Sequence, residues 1–215
     1  MRKFFAGLFL LAGLVSSSQA GVINGQIRTI DGNGDGITND LKISRVTFSV
    51  TAGTHVFFDS LVRETTGVDI NGDGVITGFD NYMRLFNTTG GSLAANDDSS
   101  STYGDGSVHV YDSTIDWTFA QAGQYMITLG QLSYTEQEAK QGYKPNAQYF
   151  AYDGNQNFGA WRLTTTTTNG TLSSLREVGV ALPEVSPVPE PASLLLLCAG
   201  LAAFGVSRRK ASRAL

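Results

Sequence analysis

Between residues 69 and 80 the chain reads DINGDGVITGFD. Oxygen-bearing side chains stand at alternate positions, at Asp69, Asn71 and Asp73. Gly74 falls sixth and Asp80 closes the run at the twelfth place. A twelve-residue calcium loop presents oxygens from positions 1, 3, 5, 7, 9 and 12, with glycine at 6 for the sharp turn. That spacing assigns Asp69, Asn71, Asp73, the Val75 carbonyl, Thr77 (directly or through water) and Asp80 as ligands of Ca2+. Ile76, at position 8, is where such loops turn one apolar side chain into the core. Aspartate at position 12 is shorter than the usual glutamate and calls for a tighter loop.

A shorter copy, DGNGDGITND, spans residues 31–40. Asp31, Asn33 and Asp35 take positions 1, 3 and 5, Gly36 takes 6, and the Ile37 carbonyl takes 7. Position 12 is Lys42, which cannot coordinate, so Asp40 is left to close the loop. A solvated Asp/Gly turn is the alternative at both places. The second loop resembles the calcium loops of dockerin modules, which also end in Asp. Its flanks do not resemble helix–loop–helix, since residues 55–61 read as strand and 79–86 as strand or helix. A third acidic group, Asn96, Asp97 and Asp98, precedes a Ser/Gly-rich stretch with Asp105, and Asp112 and Asp116 follow. It reads as a solvated edge, with a further metal site as the alternative.

These loops need a frame. Residues 45–50, 54–61, 81–86, 113–119, 124–132 and 159–168 are rich in β-branched and aromatic residues, with polar–apolar alternation and Gly/Asn/Asp clusters between them. The pattern predicts an all-β chain, an antiparallel jelly roll or β-sandwich. One short helix is expected after Ser133-x-x-Glu136, which has the form of a capping box, with Gly142 and Pro145 ending it.

Both ends differ from this body. Residues 1–20 have a basic start at Arg2 and Lys3, an apolar core at 4–15 and a small-x-small close at Ser18-Gln19-Ala20. That is the anatomy of a signal helix cleaved after Ala20, with a short N-terminal anchor as the alternative. The body is expected at 21–182, with a proline-rich linker at 183–187. Without its ends it keeps about 165 residues, enough for one domain with a proper core. Six of the 15 Lys and Arg, but only Glu190 of the 19 acids, lie in the end segments, which leaves the body near −9. Such a charge excludes nucleic acid and anionic membrane surfaces as partners of the body and suits cation uptake. The single cysteine, Cys198, lies in the C-terminal apolar run, so the body has no disulfide and bound Ca2+ could replace that staple.

Residues 188–213 begin Val188-Pro189-Glu190-Pro191, continue in an apolar run expected to form a hydrophobic helix, and end with Arg208-Arg209-Lys210. A stiff entry, a marginal span and a positive stop compose this segment. It resembles the PEP-CTERM sorting signal. The resemblance implies recognition of Pro189, Glu190 and Pro191 by an exosortase-type enzyme, transient residence in the inner membrane, and delivery to the cell surface or extracellular matrix of a Gram-negative bacterium that makes exopolysaccharide. An ordinary membrane anchor is the alternative. Within the body, Asp80, Leu85, Gly91, Leu93, Asn96, Asp97, Asp98, Ala122, Gly123 and Tyr125 resemble the pattern of the bacterial pre-peptidase C-terminal domain. That resemblance covers about half the body and implies a jelly-roll accessory module, without catalysis and with calcium in some members.

Catalytic signatures do not assemble in the body. His55 and His109 each lack a partner at metal-ligand spacing. There is no Gly-x-Ser-x-Gly elbow and no phosphate-cradling loop. A glycosidase pair among Asp97, Asp98, Asp112 and Asp116 is a remaining route to a hydrolase. Trp117, Trp161, Tyr149 and Tyr152 are the stacking candidates for a module that binds carbohydrate such as exopolysaccharide. The sequence therefore favours a calcium-stabilised, non-catalytic surface protein over either of these.

Overall fold

The computed structural model describes residues 19–179, apart from 66, 100–109 and 132. The strands are β1 (Gln19–Ile30), β2 (Asp40–Lys42), β3 (Ser44–Val50), β4 (Thr54–Leu61), β5 (Thr77–Gly78), β6 (Asn81–Phe86), β7 (Ser92–Asn96), β8 (Thr114–Phe119), β9 (Gly123–Gln131), β10 (Tyr143–Lys144), β11 (Asp153–Gly154), β12 (Phe158–Asn169) and β13 (Leu172–Val178), with one helix, α1 (Glu136–Gln141), after β9. Six strands form one sheet in the order β10-β2-β1-β12-β4-β8, five form another in the order β13-β3-β9-β6-β7, and β11 pairs with β5. Every ladder is antiparallel. The all-β expectation thus holds, and residues 79–86 resolve to strand. The N-terminal signal helix, the linker at 183–187 and the C-terminal hydrophobic helix fall outside the described residues, except that Gln19 and Ala20 already pair in β1 with Thr167 and Thr166.

Alternation builds the core. On β3, Ser44, Val46, Phe48 and Val50 point inward while their neighbours are half-buried. On β4, Thr54, Val56 and Phe58 do the same. Phe48 of the five-stranded sheet meets Phe58 of the six-stranded sheet at a 5.2 Å centroid distance, and Phe119 packs edge-on at 5.7 Å from Phe48. Aromatic contacts of this kind add to the apolar area they bury. Trp161 of β12 is fully buried and donates its indole N–H to Ser44 Oγ at 3.0 Å, which satisfies its polar edge across the two sheets. The indole lies against Gly25 of β1, where a Cβ would overlap the ring. That requirement explains a glycine inside a strand, and it is also what broke the alternation of residues 21–30 and hid β1 from the sequence reading.

A second pair bridges the sheets. Lys42 Nζ of β2 lies 2.7 Å from Glu177 Oε1 of β13, and both side chains are only 5% exposed. The ammonium also donates to the Gln26 carbonyl at 3.0 Å. Lys42, which cannot serve a metal, is therefore a core residue.

The helix is present but its cap is displaced. Thr135, not Ser133, is the N-cap; its hydroxyl accepts from the Glu138 N–H, and Glu138 returns a bond to the Thr135 N–H. Two overlapping Ser/Thr-x-x-Glu patterns compete here. The structure uses the later one, which leaves Tyr134 free to enter the small core of Ile43, Phe86 and Ala139. Gly142 ends the helix in the left-handed conformation, as expected.

Candidate metal sites

The two acidic loops close by the same hydrogen bonds. In the first, Asp31 Oδ1 accepts the Gly34 amide at 2.8 Å and Oδ2 accepts the Gly36 amide at 3.0 Å. In the second, Asp69 Oδ1 accepts Gly72 at 2.6 Å and Oδ2 accepts Gly74 at 2.9 Å. Asn33 and Asn71 each accept the amide two residues on and donate Nδ2 to Asp35 and Asp73. Asp35 and Asp73 in turn accept the amides of Ile37 and Val75, both at 2.8 Å. The position-6 glycines have φ of +87° and +75°, a region that side chains avoid, with open space around them, so conformation and not crowding demands glycine.

This repeated cradle draws three oxygen-bearing side chains into each turn, and most of their oxygens keep a lone pair beyond the one an amide uses, although Asp31 Oδ1 accepts the amides of both Gly34 and Asp35. Asp31, Asn33 and Asp35 with the Ile37 carbonyl, and Asp69, Asn71 and Asp73 with the Val75 carbonyl, would hold a hard cation, and the donor set suits Ca2+. The amides of Gly74, Gly72, Asp73 and Asn71 hold the Asp69 carboxyl below its usual range, against a smaller opposing push from desolvation.

What closes each loop differs from the expected ligands. Thr77 is fully buried; its hydroxyl donates to Glu64 Oε2 at 2.8 Å and accepts the Ala160 amide at 2.9 Å, so it is part of the frame. Glu64, 1% exposed, also takes the amides of Thr77 at 2.9 Å and Ile70 at 2.7 Å. The first loop has the same device in Asp40, fully buried, whose carboxylate accepts the amides of Gly32, Asn33 and Asn146. Asp40, expected to close the first loop as a ligand, lies buried beneath it and holds three backbone amides. Glu64 lies outside the twelve-residue window, and only an acid stranded in a strand-like run marked it. Ile76 also departs from expectation: it is 39% exposed, and Ile70 is the residue that enters the core, beside Leu61 and Ala160.

Asp80 joins a different group. Among the described residues, Asp80, Asp97 and Asp98 are the acids whose ligand oxygens lie within 4.8 Å of one another. Desolvation first, then the charges of Asp98 and Asp97, push the Asp80 carboxyl up to about 6. Burial and Asp97 raise Asp98 as well. Asp112 is buried and accepts the Val62 amide at 2.8 Å. Asp116 pairs with His55 Nε2 at 2.7 Å, and His55 Nδ1 meets the Thr168 hydroxyl at 2.7 Å. This hydroxyl–imidazole–carboxylate row spans β12, β4 and β8 with side-chain exposures of 36% for His55 and 61% for Asp116. His109 and Asp105 fall outside the described residues.

Of the stacking candidates, Trp161 and Tyr149 belong to the core and Trp117 packs partly against it. Tyr152 is exposed, and its hydroxyl accepts from Tyr111 at 2.7 Å across a 4.5 Å ring contact.

No curated protein matches the chain. Residues 187–210, which include Pro189, Glu190 and Pro191, match the PEP-CTERM protein-sorting motif, and that motif indicates a protein recognised by an exosortase-type enzyme and exported across the membrane to the cell surface or beyond.

Proposed function

We propose that this is an exported, non-catalytic protein of the surface or extracellular matrix of a Gram-negative bacterium, stiffened outside the cell by Ca2+ in its two acidic loops. The observation that carries the reading is the repeated cradle: two loops far apart in sequence reproduce one hydrogen-bond pattern, each closed beneath by a buried carboxylate. A domain without disulfides gains by mass action from such ions. The match at residues 187–210 supports delivery outside the cell. The likeness of residues 80–125 to the pre-peptidase C-terminal pattern supports a jelly-roll accessory role.

The test follows the protein in cells. Wild-type chain is expected at the surface or in the medium, whereas a Pro189→Ala, Pro191→Ala variant accumulates in the inner membrane. Equal surface delivery of both would refute sorting through this motif. A calcium titration of the same material tests the ion's role separately. Exopolysaccharide binding is the second reading, favoured by one cavity described next.

A further inference from the structure

We infer that the cleft between the first acidic loop and the end of α1 binds a sugar residue bearing a carboxylate, a hexuronate unit of an acidic polysaccharide. The cleft encloses about 240 Å³, room for one hexose ring, and is lined by Asp31, Lys42, Arg45, Gln141 and Tyr143 among others. Arg45 sets its chemistry. The guanidinium is wedged between Gly142 and Gly179, and one of its N–H groups donates to the Lys140 carbonyl at 2.7 Å. Among the described residues no carboxylate pairs with it, and the Lys140 carbonyl takes one of its N–H groups, so the guanidinium keeps donors for a ligand in the cleft it lines. A carboxylate is the group that such a fork binds bidentately.

The rest of the lining selects a sugar over a bare anion. The Tyr143 ring lies against Gly32 and offers an apolar face. Gln141 donates its Nε2 to the Tyr143 carbonyl at 2.9 Å, which leaves Oε1 as an acceptor for a ring hydroxyl. Lys42 is tied to Glu177, so its charge is spent within the frame, and Arg45 remains as the cation open to a ligand. The proposal extends the second reading above, and because Asp31 lines both the cleft and the first acidic loop it is tested without divalent ions.

The test titrates the full chain, held in mild detergent, with tri-galacturonate and with neutral maltotriose, in sodium chloride without divalent ions. Tri-galacturonate is expected to bind and maltotriose is not. Arg45→Ala should weaken binding about tenfold or more. Because Arg45 also joins α1 to the end of the last strand, Gln141→Trp, which fills the cleft and leaves Arg45 in the chain, serves as the second variant and should block binding, with the melting temperature of each variant read to separate loss of the site from loss of the fold. Failure of tri-galacturonate to bind, equal binding of both sugars, or binding unaffected by Gln141→Trp would each overturn the assignment. A melting shift on adding calcium is read on the same sample, so failure of the calcium reading and failure of this one are separate results.

Discussion

One buried carboxylate holds both ends of the second acidic loop: Glu64 Oε1 accepts the Ile70 amide at 2.7 Å, and Oε2 accepts the Thr77 hydroxyl at 2.8 Å. Through Thr77 the same contact reaches the Ala160 amide in β12 at 2.9 Å. The loop is therefore fastened to the six-stranded sheet independently of any ion, which gives an ion a preformed place to bind. Glu64→Gln would turn an N–H toward donors already present and leave one of them unsatisfied in the interior. The expected cost is about 2–3 kcal/mol, together with loss of calcium binding at the second loop and its retention at the first. Thermal melts and calcium titration of the variant check both parts; an unchanged second site would show that the clamp does not position the loop.

Lys42 and Glu177 give a double-mutant test of how the sheets are joined. Removing one partner leaves a charge buried without its counterpart. Lys42→Met alone should therefore cost about 3–5 kcal/mol, while Lys42→Met with Glu177→Leu should be close to neutral. Denaturant unfolding of the two single variants and the double variant measures the coupling. Additive losses would place the pair outside one another's influence.

The acidic group at Asp80 predicts a pH effect opposite in sign to that of the loops. Folding raises the Asp80 carboxyl from 3.8 to about 6, so the unfolded chain gives up its proton first. Stability from this group is full below pH 4, falls as pH rises toward 6, and stays low at neutral pH. Asp69 runs the other way: its lowered carboxyl contributes above its unfolded pKa and loses that contribution as pH falls. Asp80→Asn should raise the melting temperature at pH 7 by about 2 °C, a small gain because solvent screens a partly exposed group. The difference should vanish near pH 4. A variant less stable than wild type at pH 7 would contradict the repulsion.

Much of the frame was legible because β-strands with one buried face write their period into the chain. The strands at residues 54–61 and 81–86 have the bounds that alternation gives, and Ser44–Val50 begins one residue before its expected run. Where tertiary contact overrides local pattern, the reading stops. β1 is interrupted by Gly25 under Trp161, and β13 carries a bulge between Ser173 and Arg176, with Ser174 at φ +58°. The two acidic loops were visible as spaced oxygens, since their closing bonds run within five residues. The pieces that fasten them were not. Glu64 comes from upstream of its loop, Asn146 meets Asp40 across 106 residues, and Asp80 turns toward Asp97 and Asp98. Spacing along a chain records a ligand set only when the turn itself supplies every ligand.

Calorimetric titration of the full chain with calcium, in detergent and after removal of divalent ions, tests the central claim most directly. Two sites are expected. Asp35→Ala should abolish one and Asp73→Ala the other, and each occupied site should stabilise the fold by about 2.7 kcal/mol at a hundredfold excess over its Kd. No heat on titration, with identical melting in chelator and in calcium, would contradict the account.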